Sequence, residues 1–133
     1  MLIFKFKKMT ENEISYQIRG AIFKVYNTLG PGLFESVYKS ALYYELTKLD
    51  LKVERQLEIT IPYDEIILDV AFKIDLLVED KVIIELKSVE DLAPIHYKQI
   101  TNYLKLTDKK LGLLVNFNTV SILEDIKRIA NKI

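Results

Sequence analysis

The fold of this chain is decided by two neighbouring stretches, residues 72–78, FKIDLLV, and residues 81–87, KVIIELK. Both are short, rich in Ile, Leu and Val, and separated by two polar residues, a pattern typical of two strands joined by a turn. Asp75 lies in the first stretch, and Glu85 and Lys87 lie in the second. Charged side chains are costly in such apolar surroundings unless they are paired or bind a metal. The two stretches therefore predict a hairpin that carries a polar site.

The register of this hairpin decides whether its charged residues meet. A two-residue tip, 79–80, pairs Asp75 with Ile84 and sends Asp75 to the opposite face of the sheet from Glu85. A three-residue tip, 79–81, pairs Asp75 with Glu85 instead. The hypothesis of a shared polar site therefore requires the longer turn or an equivalent bulge.

The remaining segments predict the element order α, α, β, β, β, α, β, α. A capping box at Thr10–Glu13 and a helical apolar period predict a first helix that stops at Gly30-Pro31-Gly32. The later predictions are a helix over 35–49, strands over 51–61, 66–78 and 81–88, a helix over 94–106, a strand over 111–117 and a final amphipathic helix over 122–132. The strand–helix–strand unit before residue 117 predicts a parallel crossover, and hence a mixed sheet flanked by helices.

Length and composition narrow the class of protein. The 133 residues fit a single domain spanning 1–133, in which residues 1–9 are predicted to be disordered or an extra N-terminal extension. There is no cysteine and only one histidine, His96, so thiolate and multi-histidine metal sites are excluded. No apolar run is long enough to cross a membrane, so we expect a cytoplasmic protein. The formal net charge is +0, which argues against bulk electrostatic binding of nucleic acid.

Asp75, Glu85 and Lys87 form the constellation that can carry chemistry. Glu85 and Lys87 lie two apart, so they share one face of a strand. Two carboxylates can hold a hard cation such as Mg²⁺ or Mn²⁺, which lowers the pKa of a water, while the lysine stabilises the incoming hydroxide or the charge developing on a phosphate. A purely structural ion-pair cluster is the alternative interpretation of the same three residues.

The order Asp75, then Glu85-Leu86-Lys87, resembles the D…ExK signature of the PD-(D/E)xK nuclease superfamily. The elements from the second helix to the 111–117 strand are similar to the αβββαβ core of that superfamily. Residues 32–38, GLFESVY, also resemble the G-x-x-E-x-x-Y pattern of the bacterial GxxExxY family, which is assigned to it. The resemblance covers nearly the whole chain from about residue 9 onward. It implies a restriction-endonuclease-like α/β fold.

The resemblance also implies roles for individual residues. Asp75, Glu85 and the Leu86 backbone carbonyl are implied as metal ligands, and Lys87 as the catalytic lysine. Glu35 is similar to the helix-borne acid that completes many sites of the superfamily, although a glutamate in a first helical turn also favours the helix dipole. The pair formed by Gln99 and Tyr103 matches a Q-x-x-x-Y element that follows the ExK strand in many members.

The function implied is metal-dependent hydrolysis of a nucleic-acid phosphodiester, DNA or RNA. A catalytically silent module that keeps the fold and binds nucleic acid or protein is the alternative, because fold does not fix function. The small size and zero net charge favour a homodimer or a partner subunit that contributes affinity for the substrate. No membrane partner is expected.

Overall fold

A computed structural model describes residues 8–132 of the chain. Within them the elements are α1 (Glu11–Leu29), α2 (Glu35–Lys48), β1 (Val53–Tyr63), β2 (Ile66–Val78), β3 (Val82–Lys87), α3 (Pro94–Thr107), β4 (Leu111–Asn116), a 3-10 turn (Ile122–Asp125) and β5 (Ile126–Ala130). The Thr10–Glu13 capping box is confirmed, since the Glu13 N–H donates to Thr10 Oγ1 and the Glu13 carboxylate accepts from the Thr10 N–H. The prediction for residues 1–7 lies outside the described residues.

The strands of this part of the chain form one five-stranded sheet in the order β1-β2-β3-β4-β5. Neighbouring strands are antiparallel except β3 and β4, which are parallel and joined through α3. The predicted parallel crossover and the mixed α/β sheet flanked by helices are therefore confirmed. No helix among residues 8–132 is long and apolar enough to cross a membrane.

The sheet separates two apolar clusters. One face packs against α1 and α2, through buried residues such as Ile18 and Leu42 against Leu76 and Ile84. The other face packs against α3, which approaches β4 closely because position 112 is glycine: a Cβ there would lie 2.8 Å from Ile100 Cδ1. The central strands β3 and β4 are thus covered on both faces, as their unbroken apolar runs indicate.

The predicted final helix over 122–132 is wrong. Only a 3-10 turn forms there, and Ile126–Ala130 becomes β5, which pairs antiparallel with β4 from Val115↔Ile126 to Leu111↔Ala130. Every residue of β4 is buried, so its outer backbone N–H and C=O groups need a partner. β5 supplies that partner. The hydrogen bonds gained by pairing with β4 outweigh the helical spacing of the apolar residues in this short segment.

Candidate active site at the β2–β3 pair

The β2–β3 hairpin adopts the longer of the two possible turns. Its ladder pairs Leu76 with Ile84 and Val78 with Val82, which leaves residues 79–81 at the tip. Asp75 and Glu85 come directly after the last pair, one on each strand. Both Glu79 and Asp80 take the left-handed conformation, with φ of 52° and 56°. The register needed for a shared site is therefore confirmed.

Beyond the Leu76–Ile84 pair, the carboxylates of Glu85 and Asp75, rather than backbone carbonyls, accept hydrogen bonds between β2 and β3. The Asp75 N–H donates to Glu85 Oε1 at 3.1 Å, and the Leu86 N–H donates to Asp75 Oδ2 at 2.9 Å. In an extended strand the N–H and C=O of one residue point to the same side, so the Leu86 carbonyl also faces β2. The hydrogen bonds from the Asp75 and Leu86 N–H groups thus fix each carboxylate to the backbone of the other strand.

A change of face in the β1–β2 ribbon presents Asp75 to the site. Leu76 packs in the cluster under α1 and α2, whereas Ile74, two residues earlier, packs in the cluster under α3. Side chains two apart in a regular strand share a face, so β2 is irregular at Asp75. On β1 the residue between the partners of Leu76 and Ile74 is Gln56, and its φ is 54°. A left-handed non-glycine residue inside a strand marks local backbone strain.

Helix α2 contributes a second wall through Glu35 and Lys39, one helical turn apart. Lys39 Nζ lies 2.9 Å from Asp75 Oδ1. The start of the helix is held by Tyr38, whose hydroxyl donates to the Gly30 carbonyl at 2.5 Å and accepts from the Leu33 N–H at 3.1 Å. The Tyr38 hydroxyl therefore anchors the turn that precedes α2.

Helix α3 contributes the third wall. Gln99 and Tyr103 line the same pocket as Asp75 and Glu85, and the Tyr103 ring packs on Phe72 at a centroid distance of 5.2 Å. His96 does not reach this pocket: its Nδ1 accepts the Ala93 N–H at 3.0 Å at the helix start. Its role is to cap α3.

The loop after β3 is fixed by Asn116, which is only 2% exposed. Its side-chain amide donates to the Val89 carbonyl at 2.9 Å and its oxygen accepts from the Val89 N–H at 3.0 Å. The Lys87 carbonyl accepts from the Phe117 N–H at 2.9 Å. These contacts at the C-terminal end of the β3–β4 pair thus hold the backbone from which the Lys87 side chain projects.

These walls enclose a polar pocket of about 190 Å³. Its charged residues are three acids and three lysines: Glu35, Asp75, Glu85, Lys39, Lys73 and Lys87. Every site residue predicted from the sequence, including Leu86, Gln99 and Tyr103, borders this pocket. A larger groove of about 610 Å³ lies between α1 and α2, but its lining is mainly apolar and it is remote from these acids.

The two carboxylates influence each other and the α3 wall. Burial, followed by the charge of Asp75, raises the pKa of Glu85 to about 8. Burial, followed by the charges of Glu85 and Asp75, raises the pKa of the Tyr103 hydroxyl. In the absence of a cation, Glu85 is therefore mostly protonated at neutral pH, and Tyr103 keeps its proton.

The donor set fits a hard divalent cation. Asp75, Glu85 and the Leu86 carbonyl are all oxygen donors, and Mg²⁺ commonly takes one or two carboxylates and fills its other positions with water. Among residues 8–132, no three His, Cys, Asp or Glu side chains gather into one metal-holding group. Glu35 borders the pocket, but the acidic pair is Asp75 and Glu85.

Sequence reasoning missed two lysines of the pocket and the strained residue of β1. Lys39 could have been found from its spacing, because it lies one turn after Glu35 on the same helical face. Lys73 lies two residues before Asp75, but the change of face in β2 upsets the alternation on which such an argument depends. Gln56 carries no signal in its residue type.

In a comparison with protein families, the model of the PD-(D/E)XK nuclease superfamily matches residues 12–129 of this chain. Neither the curated proteins nor the solved structures give a match to this chain.

Proposed function

The chain belongs to the PD-(D/E)XK nuclease superfamily, and from that premise we propose that it hydrolyses nucleic-acid phosphodiesters with the help of Mg²⁺ or Mn²⁺. The observation that carries the proposal is the convergence of Asp75, Glu85 and Lys87 on one polar pocket. The residues 32–38 further support membership of the GxxExxY family within the superfamily.

Asp75 and Glu85 would hold the cation together with the Leu86 carbonyl. When bound, it supplies a Lewis acid that lowers the pKa of water and neutralises charge on the phosphate. The backbone N–H groups of Asp75 and Leu86 fix the two carboxylates before any ligand arrives. Such preorganisation reduces the cost of assembling the site.

Lys87 lies on the same face of β3 as Glu85 and is half-buried at the pocket. Its ammonium group is suited to orient the attacking water and to stabilise the charge that develops on the phosphate. Gln99 and Tyr103 stand on the opposite wall, where an amide and a phenol can donate hydrogen bonds to phosphate oxygens. Glu35 is suited to accept a proton or to orient water on the α2 side.

A silent binding module is the second candidate. The Lys39–Asp75 ion pair favours it, because this pair already neutralises Asp75 without a metal. A homodimer or a partner subunit remains our proposal for the additional surface that a nucleic acid would need.

The test combines thermal melts with cleavage assays. We expect millimolar Mn²⁺ to stabilise the wild type by on the order of 1–3 kcal/mol and to support cleavage within a panel of single- and double-stranded DNA and RNA. Asp75→Asn should lose both responses, whereas Lys87→Ala should lose cleavage and keep the response to Mn²⁺. Lys98→Ala, an exposed change on α3 outside the pocket, is the matched control and should keep both.

The silent module predicts a different result. Wild type would then cleave no substrate and gain no stability from Mn²⁺, and Asp75→Asn would cost roughly 3 kcal/mol by stranding a lysine.

A further inference from the structure

One of the two carboxylate oxygens of Asp75 already has a cationic partner. Lys39 Nζ lies 2.9 Å from Asp75 Oδ1, while Asp75 Oδ2 accepts the Leu86 N–H. The side chains of Lys39 and Asp75 are only 20% and 16% exposed, so water screens this pair less than a surface pair. Oδ1 is thus the carboxylate oxygen that faces an ammonium rather than the sheet backbone.

We propose that Lys39 is a resident counter-ion of the site, which a divalent cation must displace from Asp75 in order to bind. This inference rests on the proposed function, because it assigns to Asp75 the role of metal ligand. Lys39 is a positioning residue in this account: its ion pair holds the Asp75 carboxylate in place when no cation is bound.

The geometry of α2 allows such an exchange. Lys39 reaches the pocket from a helix wall, one turn after Glu35, and its four-carbon stem can withdraw without moving the backbone. Among residues 8–132, the other two lysines of the pocket, Lys73 and Lys87, make no ion pair. Displacement of Lys39 therefore breaks one specific ion pair, and it leaves the charges of the other two lysines in the pocket.

Calorimetric titration of the intact protein with Mn²⁺, in the absence of nucleic acid, tests the proposal. Lys39→Met should bind Mn²⁺ about fivefold to tenfold more tightly than wild type, because no ammonium competes for Asp75. Lys39→Arg should bind it about threefold to tenfold more weakly, because a guanidinium grips a carboxylate more firmly. The opposite signs keep the test decisive even if the methionine variant unfolds.

Lys73→Met is the matched control, since it removes a charge from the same pocket without breaking a contact of Asp75. Its Mn²⁺ affinity should change less than about twofold. Equal gains for Lys39→Met and Lys73→Met, or no change in either Lys39 variant, would overturn the displacement while leaving a metal site intact. Absence of Mn²⁺ binding in wild type and in all three variants would overturn both the proposed function and this inference.

Discussion

Glu85 accepts the backbone N–H of Asp75 through its Oε1 at 3.1 Å, directly beyond the last ladder pair of β2 and β3, Leu76–Ile84. This contact holds a carboxyl group that is only 4% exposed beside a second acid. The metal-free site is therefore a pair of acids held close by the backbone, and its protonation is coupled to folding.

Stability of the metal-free protein should fall as the pH rises from 5 to 8. The folded state raises the pKa of Glu85 from 4.5 to about 8, so in this window the folded state holds a proton that the unfolded state has lost. We expect the free energy of unfolding to decrease by about 2 kcal/mol, measured by urea titration with a chelator present. Glu85→Gln keeps the acceptor for the Asp75 N–H and should flatten this dependence; an unchanged slope in that variant would contradict the assignment.

Replacing Gln56 tests the change of face in the β1–β2 ribbon. Gln56→Gly should raise the free energy of unfolding by about 0.5–1 kcal/mol, because glycine adopts a φ of 54° without a Cβ penalty. Gln56→Val should lower it by roughly 1–2 kcal/mol, because a β-branched residue resists this conformation. If valine were tolerated and glycine were destabilising, the backbone at this rung would be regular, and Asp75 would be presented in another way.

Tyr38→Phe isolates the hydroxyl that anchors the turn before α2. The variant keeps the stacking on Phe117, at a centroid distance of 4.4 Å, but loses the bonds to Gly30 and Leu33. We expect a cost of about 1–2 kcal/mol in thermal melts, together with slower cleavage, because Glu35 starts the helix that this turn precedes. Tyr38→Leu, which also loses the stacking, should cost about 3 kcal/mol or more; no cost for Tyr38→Phe would instead assign the whole effect to packing.

Asn116→Ala should loosen the loop that follows β3. The variant removes both hydrogen bonds between Asn116 and Val89, and the Val89 carbonyl then keeps only the longer bond from Asn118 Nδ2, at 3.3 Å. We expect the free energy of unfolding to fall by roughly 2–3 kcal/mol. Amide hydrogen exchange in this variant should be faster at residues 88–90 than in β4. Protection of this loop equal to that of the wild type would show that other contacts fix it.

The central elements were predictable because their local patterns agree with the fold. The apolar runs of β3 and β4, the Thr10–Glu13 box and the spacing of Asp75 and Glu85 all pointed to the arrangement observed. The sequence at residues 126–130 did not, since its apolar period fits a helix as well as a strand, and the choice depends on the unpaired side of β4. The local sequence does not show that a distant strand needs a hydrogen-bonding partner.

The site was predictable only in part, for a related reason. The positions of the acids and the lysine on β2 and β3 follow from the register of these two strands. The position of Lys39 depends on how α2 packs across the sheet. Gln56 is a further case, because its left-handed conformation goes with its place in the β1–β2 ribbon, between the partners of Leu76 and Ile74, and not with its own residue type.

The three acids and three lysines around the pocket have a consequence for the order of events. Without a cation Glu85 is mostly protonated, so the formal charge of the walls is one excess positive charge. A divalent cation that displaced this proton would raise the excess to two, which a phosphate diester can share. Capture of a phosphodiester should thus be stronger after cation loading than before it.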